Sequence, residues 1–145
     1  MTVDDFWQEF IEYAGLHKSI TYRNSYYFDS NEAGAKKLLD LVLLGKKKAT
    51  TGALLAYEGN IPRVENDYSI ITDWHGIPHC IVRTTAITIM PFNEMTFEIC
   101  DREGEYDSLE AWRDDHIRYF KDEGYEFSED MLIVFRDFEV VYKNL

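Results

Sequence analysis

Residues 45–51 read Gly-Lys-Lys-Lys-Ala-Thr-Thr. Three ammonium groups followed at once by two hydroxyls can hold an anion or pass a proton. The catalytic version of that chemistry is nucleophilic. A threonine hydroxyl attacks a carbonyl only with a base beside it, and a lysine is that base only as the neutral amine. Like-charged neighbours and a nearby helix C-terminus act on that balance in opposite directions. The plainer alternative is a solvated positive cap on a helix end.

A helix has to deliver this stretch. Ala35, Leu38, Leu39, Val42 and Leu43 recur at helical spacing. Asp29 or Ser30 reads as the N-cap, with Glu32 three residues after Asp29 as in a capping box. Gly45 reads as the left-handed residue that stops the helix. An earlier helix carries Val3, Phe6, Trp7, Phe10, Ile11 and Ala14 on one face and ends at Gly15. The tyrosine-rich stretch 16–28 reads as an extended loop packed on the core, though its rings could also stack on a base.

β-branched runs follow. Residues 52–57 read as a strand or short helix, and 68–74 as a strand. Residues 80–85 form another strand, which 86–90 either continue or follow as a separate one. Leu109, Trp112, His116, Ile117 and Phe120 mark a third helix, capped by Asp107 or Ser108 and stopped by Gly124. Residues 131–142 form one long strand bent near Arg136-Asp137, or a hairpin.

The 145 residues suffice for one domain. Net charge is −12, which argues against a protein that coats duplex DNA but leaves room for a pocket with a local basic cluster. Cys80 and Cys100 form no CxxC, and read as buried thiols of a reducing compartment. The start lacks a signal peptide pattern and no run is apolar enough to span a membrane, so the expected location is cytoplasmic.

Several stretches together resemble the ASCH domain, a PUA-like β-barrel family linked to RNA and modified nucleosides. They are Gly45–Thr51, Ile61-Pro62 with Asp67, the strand 68–74, Pro78–Thr85, Pro91-Phe92 and Gly104–His116. The resemblance covers roughly residues 30–142. It implies a single α+β domain over 1–145, a PUA-like antiparallel β-barrel flanked by helices, with an N-terminal helical extension over about 1–29 as in the longer bacterial subgroup. The pattern G-x-K-x-x-T falls on Gly45, Lys47 and Thr50.

In similar small ASCH amidohydrolases acting on N4-acetylcytidine, the Thr is the proposed nucleophile, the Lys its activator, and a later Glu assists. By motif that Glu is Glu105, with Glu103 the weaker choice. Other relatives act as a ribonuclease or sit in transcriptional coactivators. Three departures stand out: Lys48 in place of Thr, Asn66-Asp67 in place of Gly-Asp, and Tyr106 in place of the second Gly of Gly-Glu-Gly-Asp. If that second Gly needs a positive φ, Tyr106 strains the loop and misplaces Glu105.

The reading is therefore a hydrolase for an acylated pyrimidine nucleoside, with Lys47, Thr50 and Glu105 catalytic. Lys46, Lys48, Trp74, Arg83 and Arg113 are candidates for holding the ligand. No cofactor and no metal is called for; His75, His79 and Cys80 lack a ligand-type spacing and a fourth partner. His116, on the apolar face, reads as structural. The alternatives are a non-catalytic module that binds RNA or a nucleotide, and a metal-independent ribonuclease. The expected partner is a small nucleoside-like ligand or RNA.

Overall fold

A computed structural model describes residues 1–144. Helix α1, Val3–Ala14, is capped by Thr2, whose side chain accepts from the Asp5 amide in a capping box. It buries Phe6, Trp7, Phe10 and Ile11 against Tyr68, Ile70 and Ile81. Gly15 ends it in the left-handed conformation, φ 68°. The next stretch is not all loop. Asn24–Tyr26 form a short strand, β1, too brief and too exposed to leave a periodic signal.

Helix α2, Glu32–Leu43, is capped by Asn31, which accepts from the Gly34 amide at 2.7 Å. Neither Asp29 nor Ser30 is the cap. Asp29 adopts φ 67° and folds its carboxylate against the first turn, where a Cβ on Gly34 would meet it. Gly45 takes φ 78°, as a helix stop requires.

Strand β2, Ala49–Ala53, runs into a single 3₁₀ turn over Leu54–Tyr57, so residues 52–57 are part strand and part helix. Strand β3 is Tyr68–Thr72. Strand β4, Pro78–Pro91, is continuous, and bulges on either side of Thr84 bend it. A short helix α3, Phe97–Cys100, leads into a 3₁₀ turn at Asp101–Glu103. Helix α4, Leu109–Asp122, is capped by Ser108. Strand β5, Leu132–Lys143, is one long strand and not a hairpin.

The strand order is β1-β3-β4-β5-β2. Every pairing is antiparallel except β1 with β3, which is parallel. The result is a curved half-barrel flanked by helices, the α+β PUA-like architecture. β5 organises it, pairing with β4 along nearly its whole length and with β2 over Ile133–Asp137.

On one side of this sheet Phe92 stacks on Trp112, with ring centroids 5.0 Å apart, amid Phe120, Phe135 and Ile133. Such a stack contributes about 0.5–1.5 kcal/mol beyond area burial. On another, α2 packs Leu39 and Val42 on Ile71, Cys80, Val82 and Phe138. Those two helical packings fix the α2–β2 junction and the loop before α4, which together build the site.

Candidate functional site

The chain leaves α2 with the Lys46 and Lys47 amides both donating to the Leu41 carbonyl. Lys48 is then held on both sides: its amide donates to the Arg102 carbonyl, and its own carbonyl accepts from the Phe138 amide. Lys46 and Lys48 point to solvent, while Lys47 turns inward and is 2% exposed. A lysine so enclosed needs partners. Its Nζ donates to the Ala49 carbonyl at 2.9 Å and to Glu105 Oε2 at 2.6 Å, and Glu103 Oε1 lies 3.5 Å away. The Phe28 ring lies 5.1 Å from the ammonium.

Both carboxylates come from the turn around Gly104, and that glycine is required. Its φ is 73°, and a Cβ there would stand 2.2 Å from the Lys46 carbonyl oxygen. The turn is thus pressed directly onto the Lys46-Lys47 backbone. Glu103, 2% exposed, spends its other oxygen on α4 and β2. Oε2 accepts from Trp112 Nε1 at 2.5 Å and from the Thr51 hydroxyl at 2.9 Å, with His116 Nε2 3.7 Å away. His116 is oriented by a contact of Nδ1 with the Trp112 carbonyl at 2.9 Å and by stacking on the Trp112 indole.

Glu105 faces an open space. Burial raises its carboxyl above the ordinary glutamate value, against the opposing pull of Lys47, with the Glu103 charge adding to the rise. The space is a cleft of about 320 Å³. Lys47, Thr50, Thr51, Glu103, Glu105 and His116 line its floor, and Tyr26 to Ser30 border one side. Tyr106, Asp115, Arg118 and Asp122 border the other.

Tyr106 does not strain the turn. Its φ is not positive, the positive-φ residues outside glycine being Asp29, Glu58 and Asn66. Its hydroxyl donates to Asp115 at 2.5 Å across the cleft's border. Burial and the Glu105 charge both push the Tyr106 phenol upward, so it stays a donor. Burial acts to raise the Asp115 carboxyl, but hydrogen bonds from Tyr106 and Arg118 outweigh it and hold it below the usual aspartate range.

The structure brings Lys47, Thr50 and Glu105 to one cleft. The Thr50 hydroxyl is hydrogen-bonded to neither charged partner among the described residues, and its residue is half-buried. The proposed ligand-holding residues lie elsewhere. Arg83 pairs with Glu139 through two contacts across neighbouring strands, an ordinary cross-strand ion pair. Arg113 sits over Phe92 and grips Glu129. Trp74 does not line the cleft; it packs against Tyr27, which does, with centroids 4.8 Å apart. Lys46 and Lys48 line a neighbouring, more open concavity with Arg102 and Asp107, which shares Glu105 and Tyr106 with the cleft.

Glu103, Thr51, His116, Tyr106 and Arg118 also line the cleft. The sequence singled out Glu103 as the other carboxylate flanking Gly104, Tyr106 as a departure from the pattern and His116 as a structural residue, and gave no signal for Thr51 or Arg118. His75 and His79 each meet a different carboxylate, Glu32 and Asp73. Among the described residues no three His, Cys, Asp or Glu side chains gather so as to hold a metal. No helix there is long and apolar enough to cross a membrane.

The ASCH domain family model matches residues 24–142. The chain is similar to the crystal structure of a protein from Enterococcus faecalis V583, with 33% identity and a TM-score of 0.84, covering 96% of this chain and 87% of that one. It is also similar to the crystal structure of the ASCH domain from Lactobacillus crispatus JV V101, with 30% identity and a TM-score of 0.78, covering 93% of each. No curated protein matches.

Proposed function

This chain belongs to the ASCH domain family, and from that premise we propose that it hydrolyses the acyl-amide of a modified pyrimidine nucleoside of the N4-acetylcytidine kind. The observation that carries the reading is the meeting of Lys47 and Glu105 at 2.6 Å on the floor of a cleft that Thr50 also lines. Glu105, raised by burial, is suited to take a proton from Lys47 and leave a neutral amine beside the hydroxyl.

In the proposed step, that amine accepts the Thr50 proton while Thr50 Oγ bonds to the amide carbon. The C–N bond breaks, and the departing ring amine receives the proton held on Glu105. Water then hydrolyses the acyl ester on Thr50 to a carboxylic acid. Glu103 Oε2 is engaged by Trp112 and Thr51 and Oε1 stands 3.5 Å from Lys47 Nζ, so its part is to hold Lys47 in place.

The charge of the cleft favours a neutral ligand. Asp29, Glu103, Glu105, Asp115 and Asp122 line it, against the basic side chains Lys47 and Arg118. A polyphosphate or RNA strand meets repulsion there. The test is incubation of the purified protein with N4-acetylcytidine while cytidine release is followed. We expect multiple turnovers with no added metal, and absence of cytidine overturns the reading. If the protein acts on RNA instead, its affinity falls steeply with salt, which binding of an uncharged nucleoside does not.

A further inference from the structure

His116 is a buried, titratable ring on the floor of the cleft that the proposed reaction leaves idle. Helix α4 holds it in two ways. Its Nδ1 lies 2.9 Å from the Trp112 carbonyl one turn back, and its ring stacks on the Trp112 indole with centroids 4.5 Å apart. A carbonyl only accepts, so Nδ1 carries the hydrogen. In the neutral ring Nε2 then keeps a lone pair.

That Nε2 makes no hydrogen bond among the described residues. Glu103 Oε2 stands 3.7 Å away, beyond hydrogen-bond reach, and already accepts from Trp112 and Thr51. Tyr106 approaches the ring from the turn before α4, with centroids 5.7 Å apart, and its hydroxyl is committed to Asp115. A charge on the ring is felt by both Glu105 and Asp115. Trp112 thus takes one face and the Nδ1 edge, while the Nε2 edge turns to the carboxylates of the floor.

The second half of the proposed reaction needs such a group. Once Thr50 is acylated, Lys47 holds the Thr50 proton as an ammonium. Glu105 has given its proton to the departing amine and is bound again by that ammonium, which weakens it as a base. Water must still lose a proton to cleave the ester.

We propose that His116 Nε2 is the base that activates water for cleavage of the acyl-threonine ester. The inference rests on the reading of the cleft as an amidohydrolase site. Nε2 takes a proton from water as the water oxygen bonds to the acyl carbon. The ester C–O bond then breaks, the carboxylic acid departs, and the imidazolium returns its proton to Thr50 Oγ. His116 ends neutral, and Lys47 and Glu105 end as the ion pair from which the cycle starts. The Glu103 charge beside Nε2 favours the imidazolium that forms in between, as a carboxylate does behind a catalytic histidine.

The experiment mixes N4-acetylcytidine with wild type, His116→Asn and His116→Gln, following cytidine release from the first turnover and the intact mass of the protein. Both variants are expected to give a stoichiometric burst of cytidine and then a steady rate lower by about a hundredfold or more, with the acetyl group held on Thr50. Hydroxylamine, a nucleophile that needs no base, is expected to restore their turnover, which it would not do for a ring that only packs. Unchanged steady turnover in either variant overturns the role, as does loss of burst and turnover together in both; the hydrolase reading then stands on cytidine release by wild type. No release by wild type removes the hydrolase reading, and this role with it.

Discussion

Glu105 shows how environment turns one acid among 27 into a candidate. Its carboxyl is raised by burial, so the folded chain binds its proton more tightly than the unfolded chain, where the group titrates near 4.5. The stability tied to that proton is complete below 4.5 and is lost as pH rises through the folded value. Denaturant unfolding of wild type and Glu105→Gln at stepped pH should therefore show equal stability near pH 4 and a growing advantage of the variant above it. A variant less stable than wild type at neutral pH contradicts this.

The sequence showed Lys47, Thr50 and Glu105 through their motifs. It could not show Thr51, because a buried hydroxyl leaves no pattern in one dimension, and it placed His116 on the apolar face of its helix only as a structural residue. Nor could it separate Lys46 and Lys48 from Lys47. What separates them is the alternation imposed when Lys48 is pinned between Arg102 and Phe138.

Among elements, the two connections that frame the site were legible to different degrees. Gly45 and Gly124 stop their helices as their type predicts, with φ of 78° and 87°. The start of α2 was misread because Asp29, Ser30 and Asn31 are all good caps, and only geometry chooses Asn31. Asn31→Ala should cost about 1 kcal/mol in unfolding free energy. Ser30→Ala should stay within about 0.5 kcal/mol; the reverse order contradicts the assignment.

The turn that presents Glu103 and Glu105 depends on Gly104, not on residue 106, where the sequence pattern pointed. Gly104→Ala combines a left-handed φ with a backbone collision at 2.2 Å. It should destabilise the protein by at least about 2 kcal/mol and separate the carboxylates from Lys47. Denaturant titration measures the first effect, and an unchanged midpoint refutes it. β1 escaped notice because three residues, two of them exposed, carry no period, and its parallel pairing with β3 depends on where the chain returns from α1.

At the scale of the whole molecule, the architecture follows from the long β5 strand receiving β4 on one side and β2 on the other. This pairing sets Thr50 above Arg136 and turns the α2–β2 junction toward α4. The alternation of β-branched runs made an antiparallel sheet legible, whereas its incomplete closure and parallel edge depend on contacts between distant segments. The net charge of −12 extends into the cleft, where carboxylates outnumber cations. That distribution supports the proposal of a small neutral ligand over a polyanion.

Lys47→Ala tests the chemistry poorly, since it strips two carboxylates of their shared cation and such losses cost about 3–5 kcal/mol on their own. The neighbouring threonines are the cleaner pair: Thr50 lines the cleft with a hydroxyl that makes no hydrogen bond among the described residues, whereas Thr51 spends its hydroxyl on Glu103. The decisive measurement is the rate of cytidine release from N4-acetylcytidine by wild type, Thr50→Ala and Thr51→Ala under saturating substrate. The account predicts that Thr50→Ala loses at least about a thousandfold in kcat while Thr51→Ala stays within about tenfold of wild type. Undiminished turnover by Thr50→Ala contradicts it.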